Sequence, residues 1–573
     1  MTLPLVGPIV RATTTSEAII WAEFAYPCKV TVTAYPLHTP SSGAIHTTVS
    51  TLRAGGHFYA VARLNGLTPA TWYTYELHTL PEATSTIPSN AQLRQCFRTF
   101  AASNIEQKSS LRIAYGSCRK LDHPEKDTLT AFGSWLEEHF EQRDDLWPHV
   151  LLMIGDQIYA DQPPPDLASQ VNPVASRFEE FTTLYKHAWT YDQGIRQVLA
   201  MLPTYMIFDD HEITNNWNAA PNWQQQALRN GQEQTIVDGL VAYWLYQGWG
   251  NLPSNATTPH PLLALTQAAQ ESGEDALEAL RYSIRTTLSE TTHIPWHYSI
   301  ATSPSIFVTN TRTERTSGLA ANDERIYAPT SILGDEQMQD FQSWLDDNPD
   351  AVTLLVSSVP LLLPPLIGLV EYYAGQRLWS AQRGIRGCLG RWLAQLQIKV
   401  AEKASFDHWP LYAASWRALL TMLNQRQGIS LILSGDVHFS YAVSAETSAE
   451  QMSLLQFVCT PFQNALSSSD RRKIVWQSFF QGTSYGDLRT RLLPLQPKHK
   501  TAEIKRNHLY QDSLALLTLQ TEMPTKYQIS HTYFGLIDDR LKEVAHVTLP
   551  ALSQPQKRNQ SSGHKVDESV RTV

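Results

Sequence analysis

The chain has 573 residues, 42% of them hydrophobic, which exceeds one ordinary domain and is enough to bury large cores. A formal net charge of −9 and the lack of a dense Lys/Arg stripe exclude nucleic acid as the main partner, because binding a phosphate backbone needs a basic footprint. Five scattered cysteines, Cys28, Cys96, Cys118, Cys388 and Cys459, do not read as a disulfide framework and point to a reducing compartment.

The first residues, Met1-Thr-Leu-Pro-Leu-Val-Gly-Pro8, show neither a charged leader followed by a long apolar stretch nor a twin arginine, so the expected location is the cytoplasm. Residues 1–105 alternate with period two, as in Lys29-Val-Thr-Val-Thr-Ala-Tyr35 and His57-Phe-Tyr-Ala-Val-Ala-Arg63, and read as a β-sandwich domain. The segment Leu64 to Leu77, with Leu67, Pro69, Tyr73 and Tyr75, resembles the tyrosine-corner strand of fibronectin type III-like domains. Cys96 to Phe100 would close this domain, and Ala101 to Ser110 would be a polar linker.

From residue 111 to 485 strands alternate with helical segments, the pattern of an α/β catalytic domain. Leu111 to Gly116 predicts a strand, and the spacing of Leu129, Phe132, Trp135, Leu136 and Phe140 predicts a helix over Thr128 to Glu141. Further helices are predicted at Gln232 to Trp244 and at Asp335 to Leu345. The apolar run Val352 to Val370 contains Pro360, Pro364 and Pro365, so it reads as a buried strand and an irregular loop, not as a membrane span. A helical insertion is expected at about 366–410, with Arg391 to Lys403 amphipathic, and Trp416 to Leu423 is apolar on one side. Residues 486–552 read as a C-terminal extension in which Tyr527 to Leu549 could form an edge hairpin, and residues 553–573 as a disordered tail.

Four apolar runs end in polar loops: Leu151 to Asp161, Tyr205 to Glu212, Ile306 to Arg312 and Leu431 to His438. In α/β sheets ligands bind at such strand ends. Asp156, Asp161, Asp209, Asp210, Asn215, Asn216 and Asp436 offer oxygen, His211 and His438 imidazole, Tyr159 phenolate and Cys118 thiolate, a donor set sufficient for more than one metal ion. Thiolate and phenolate suit iron better than calcium, which takes hard oxygen donors. His211, beside these carboxylates, is the candidate general acid. His297, beside Trp296, reads as a packed histidine.

Ser117-Cys118-Arg119, Gly155-Asp-Gln-Ile-Tyr-Ala-Asp161, Phe208-Asp-Asp-His-Glu-Ile-Thr-Asn-Asn216 and Ser434-Gly-Asp-Val-His-Phe-Ser440 resemble, in order, the motifs of the alkaline phosphatase D (PhoD-like) family of calcineurin- and purple-acid-phosphatase-like metallophosphatases. Thr309 to Arg315, Ile332 to Gln337 and Asp407 to Tyr412 add to this resemblance. It implies a four-layer α/β/β/α domain after the sandwich, ferric iron with one or two calcium ions, and hydrolysis of phosphate mono- or diesters of small phosphorylated substrates. By the same resemblance Asp156 bridges the metals, Tyr159 and Cys118 bind iron, and Asp209 or Asp210, Asn216, Asp436 and His438 complete the set. For a phosphate ester, His211 would then protonate the leaving alkoxide, and Arg119, Arg312 and Arg315 either hold phosphate oxygens or form structural ion pairs. The competing expectation is a binding or adhesion protein that uses its sandwich and carries an inactive α/β domain.

Overall fold

The structure is a computed structural model that describes residues 4–37, 43–80, 93–102, 110–122, 127–215, 217, 227–253, 260–289, 294–317, 329–349, 351–377, 407–426, 428–447, 453–523 and 526–549. Asn216, the amphipathic stretch 391–403 and the C-terminal tail lie outside the described residues.

The N-terminal domain is the expected β-sandwich. One sheet orders Val6–Thr13, Glu17–Phe24, His57–Asn65 and Leu52–Ala54, and the other Ile45–Ser50, Lys29–Pro36, Trp72–Leu80 and Cys96–Arg98. Alternation sends Val30, Val32, Ala34, Tyr73, Tyr75 and Leu77 inward against Ile20, Ala22, Ala60 and Leu64. The Tyr73 hydroxyl accepts the N–H of Thr68 at 2.8 Å, the bond that defines a tyrosine corner. Glu17–Phe24 is buried on both faces, since Ile19 and Trp21 point away from the sandwich into the main core. That second burial explains its near-continuous apolar sequence. Trp21 Nε1 donates to the carbonyl of Leu245 at 2.9 Å, and the buried Arg11 guanidinium donates to Asn251 Oδ1 at 2.8 Å. The sandwich is therefore welded to the α/β domain.

Two large sheets form the rest. The first orders Thr204–Ile207, Val150–Ile154, Ser110–Gly116, Leu514–Met523, Lys526–Ile537, Arg540–Val547 and Leu495–Pro497. The second carries Ile306–Val308, Val352–Ser357, Ile429–Ser434 and Ser453–Val458 as parallel neighbours. Ile113 and Tyr115 of the first sheet share one core with Leu354, Val356, Leu431, Leu433 and Phe457 of the second. On the far side of the second sheet, Phe307, Leu355 and Ile432 pack with Phe341, Leu345, Trp416 and Leu419 from the helices Asp335–Asp347 and Ala413–Gln425. The helices Thr128–Glu138 and Glu233–Tyr243 also stand where the 3.6-residue period places them. The apolar run from Val352 resolves into the strand Val352–Ser357, a loop, and a helix, Pro365–Arg377, that begins on a proline. No described helix is long and apolar enough to cross a membrane.

The C-terminal segment differs from the expected appendage with an edge hairpin. It supplies four of the seven strands of the first sheet, and Leu514–Met523 pairs antiparallel with Ser110–Gly116 in the register Ala515 to Tyr115. The Tyr533 hydroxyl reaches the other sheet at the carbonyls of Tyr441 (2.9 Å) and Val458 (3.0 Å). These strands close the core of the α/β domain and do not extend it from outside.

Candidate metal centre

Parallel pairing brings the carboxyl ends of the strands to one edge. Met153 is level with Gly116, Ile154 with Ile207, and Ser434 with Ser357 and Val458. The two sheets meet there: the N–H of Asp436 donates to Ser117 Oγ at 3.1 Å, while within the second sheet the N–H of Gly435 donates to Ser358 O at 3.0 Å. Close approach needs glycine, since a Cβ on Gly155 would lie 2.6 Å from Asp209 Cβ. Beyond the strand ends Cys118, Asp156, Asp436 and His438 all take positive φ, at 56°, 54°, 70° and 61°. Each such non-glycine conformation costs about 1 kcal/mol or more, and strain of this kind collects at functional sites.

The turned side chains converge. Cys118 Sγ lies 3.4 Å from Asp156 Oδ2. Tyr159 stacks on His211 with centroids 4.2 Å apart, and its hydroxyl accepts from Asn464 Nδ2 at 3.0 Å. The carbonyl of the same Asn464 lies 3.0 Å from His438 Nδ1, so one asparagine joins the tyrosine to the histidine. Candidate ligand atoms group as Asp156 with Asp210 and His211, as Asp209 with Asp210 and Asp436, and as Asp407 with His408 and Asp436, each set within 4.8 Å. His211 thus falls among the carboxylates as a possible ligand as well as the candidate acid. Its Nδ1 lies 2.7 Å from Asp161 Oδ1, which fixes the ring.

Charge crowding dominates the electrostatics. Burial raises Asp156 well above the usual carboxylate range, with His211 pulling it down and Asp210, Asp209 and Glu212 pushing it up, and burial also raises Asp209 despite its contact with Arg312. Burial, Asp156 and Asp436 raise the Cys118 thiol, and burial, Cys118 and Asp156 raise the Tyr159 phenol. For His211 burial works downward, but Asp210, Asp156 and Asp161 outweigh it and lift it to about 10. Burial opposes ionisation of Asp436 too, yet His408, 3.0 Å from its Oδ2, and Arg312 hold it low. Asp209 Oδ2 is buried with no hydrogen-bond partner among the described contacts. So many buried acids with so few cations fit bound metal, which would let thiol, phenol and carboxylates ionise together.

The structure brings Cys118, Asp156, Tyr159, Asp209, Asp210, His211, Asp436 and His438 to one edge. Arg119 does not face this cluster: Nε and Nη2 both bond Asp127 Oδ2, at 3.0 and 2.8 Å, and Nη1 donates to the carbonyl of Ala188. Arg312 is fully buried among carboxylates, bonded to Asp209 and, at 2.6 Å, to Asp407, with Nη2 3.7 Å from both Asp210 and Asp436. Arg315 donates to the carbonyl of Thr311 at 2.6 Å and lies 3.5 Å from Asp407. All three arginines are engaged in ion pairs. His297 packs on Phe307 and pairs with Asp340.

Sequence reasoning missed Glu212. Its carboxylate accepts the N–H groups of Asp156 (3.0 Å), Gln157 (2.6 Å) and Asp209 (2.8 Å) and the side-chain amide of Gln247 (3.2 Å). Burial raises it to about 7 against those hydrogen bonds. It also missed the roles of Asp407, His408 and Glu371, which accepts the His408 N–H at 2.7 Å. The position of Glu212, directly after Asp-Asp-His, was the available signal.

Residues 113–484 match the family described as PhoD-like phosphatase, and residues 1–92 match a domain of unknown function, DUF7800. No curated protein matches the chain. A solved structure entitled "Structure of PhoD" shares its fold at a TM-score of 0.56 and 14% identity, covering 97% of this chain and 94% of that one. The sensor domain of the anti-sigma factor RsgI4 of Pseudobacteroides cellulosolvens aligns over 19% of this chain and 97% of its own at 16% identity, but its TM-score of 0.14 carries no argument. With a family match over well more than half its length, on the residues that carry the candidate metal centre, the chain belongs to the PhoD-like phosphatase family.

Proposed function

We propose that the chain hydrolyses phosphate monoesters or diesters, with ferric iron held by Cys118 and Tyr159 and one or two calcium ions held by the surrounding carboxylates. Asp156, between the Cys118 thiol and the His211 backbone N–H, would be a ligand to both, and Asp209 or Asp210, Asp436, His438 and Asn216 would complete the sets. The observation that carries this reading is the convergence of thiol, phenol, imidazole and four carboxylates on strained strand ends. When bound, such a metal pair supplies an activated water and positive charge for the phosphoryl oxygens.

The chain's own residues do the rest. His211, oriented by Asp161, delivers a proton to the leaving alkoxide. Arg312 keeps the carboxylates Asp209 and Asp407 in place as a buried counterion. Phosphate release by the purified protein, reduced at least about a hundredfold in Asp156→Asn, supports this reading; undiminished release would overturn it, and no release from the unaltered chain would favour the adhesion alternative. For iron, thiolate and phenolate ligation is expected to give a visible absorption band that Cys118→Ser shifts or bleaches. A colourless, iron-free preparation with full activity would refute the iron assignment while leaving the hydrolysis reading intact.

A further inference from the structure

A second cluster of charge lies at the opposite end of the first sheet, where the sandwich meets the catalytic domain. A narrow cavity there is lined by Trp72 and Arg98 of the sandwich and by Arg112, Arg143, Trp147 and His149 of the catalytic domain. His149 immediately precedes the strand Val150–Ile154, whose far end carries Asp156, so this cavity is separate from the metal centre. Three guanidiniums share it. Against them stand Asp144, half exposed, whose Oδ1 takes Trp72 Nε1 at 2.8 Å and Arg98 Nη1 at 3.3 Å, and the exposed Asp145. Arg112 spends its donors on the carbonyls of Trp147 (2.7 Å) and Asp144 (2.6 Å), and Arg143 Nη1 on the carbonyl of Phe140 (3.0 Å).

Two donors are left over. Trp147 and Arg143 are both more than nine-tenths buried and line the cavity, yet Trp147 Nε1 and Arg143 Nε have no hydrogen-bond partner among the described contacts. The cations also repel one another: burial and then Arg98 lower Arg112, and burial, Arg112 and Arg98 depress His149 to about 3, so the imidazole is neutral and adds no charge. A neutral solvent molecule would satisfy the N–H groups without relieving this repulsion, whereas an anion does both. The space holds about one water-sized sphere, which limits the ligand to a small monatomic ion.

We propose that this cavity binds a small inorganic anion of chloride size, held by Trp147 Nε1, Arg143 Nε and the field of Arg98 and Arg112, and that the anion pins the sandwich to the catalytic domain. In the full-length protein, replacing gluconate by chloride at constant ionic strength should raise the thermal midpoint by about 2 °C or more. Trp147→Phe, which keeps an aromatic ring and removes the N–H, should abolish most of that rise, and Arg143→Met should do the same. Crystals soaked in bromide should show an anomalous peak between the two side chains. An equal chloride-dependent rise in both variants, or a bromide-soaked crystal without that peak, would overturn the proposal. Inorganic phosphate stabilising the unaltered chain more than chloride, with the difference lost in Trp147→Phe, would overturn the assignment of size.

Discussion

Glu212 stands behind the candidate ligands and ties two of their strand ends together by accepting the N–H groups of Asp156, Gln157 and Asp209. Glu212→Gln keeps the shape but turns an N–H donor toward those N–H groups. Leaving one or two buried donors unpaired should cost about 2–4 kcal/mol of stability, and loosening Asp156 and Asp209 should lower kcat at least about tenfold, as changes behind metal ligands commonly do. Thermal unfolding and steady-state kinetics on the same preparation check both; an unchanged kcat would show that Glu212 does not position the centre. At this scale the sequence displays donor types well, because turn formation alone does not require Gly-Asp, Asp-His and Asp-X-His at successive strand ends. It displays partners poorly. Arg119 adjoins the candidate ligand Cys118 in the chain but bonds Asp127, and Arg312 meets Asp407, 95 residues away. The second separation lies beyond any local pattern.

Among the elements, helices with a clear apolar stripe and strands ending in Gly-Asp were legible, since each periodicity is local. The strands of the C-terminal segment were not placed, because Leu514–Met523 pairs with Ser110–Gly116 about four hundred residues away and nothing in either names the other. His531 on the neighbouring strand makes that join measurable. Its Nε2 lies 2.7 Å from the Tyr115 hydroxyl and its ring stacks on Phe457 with centroids 4.4 Å apart. Burial depresses it to about 3, against about 6.5 in an unfolded chain. Between those values the unfolded chain binds a proton that the folded one refuses, so this contribution to stability is present above pH 6.5 and is lost as pH falls toward 3. The slope is about 1.4 kcal/mol per pH unit. His531→Phe should flatten the decline of stability between pH 6 and 4 by about that slope, read from denaturant unfolding at several pH values. An identical decline would mean that His531 is protonated in the folded chain.

For the whole molecule, the sandwich and the two large sheets share buried surface, and the sandwich strand Glu17–Phe24 contributes residues to both cores. Gln247 links them chemically: its side-chain amide reaches Glu212 and its carbonyl accepts from Arg11 of the sandwich. The sandwich was legible from period-two alternation and its tyrosine corner; its docking was not, because Arg11, Trp21 and Tyr205 reveal their partners only in three dimensions. The central claim is that this assembly holds metal for phosphate ester hydrolysis, and one measurement tests it most directly. Purified protein is dialysed against a strong chelator, assayed for release of phosphate from monoester and diester substrates, and assayed again after ferric and calcium ions are restored. Loss of hydrolysis on chelation and its return on restoration are expected; hydrolysis undiminished in fully chelated protein would contradict the account.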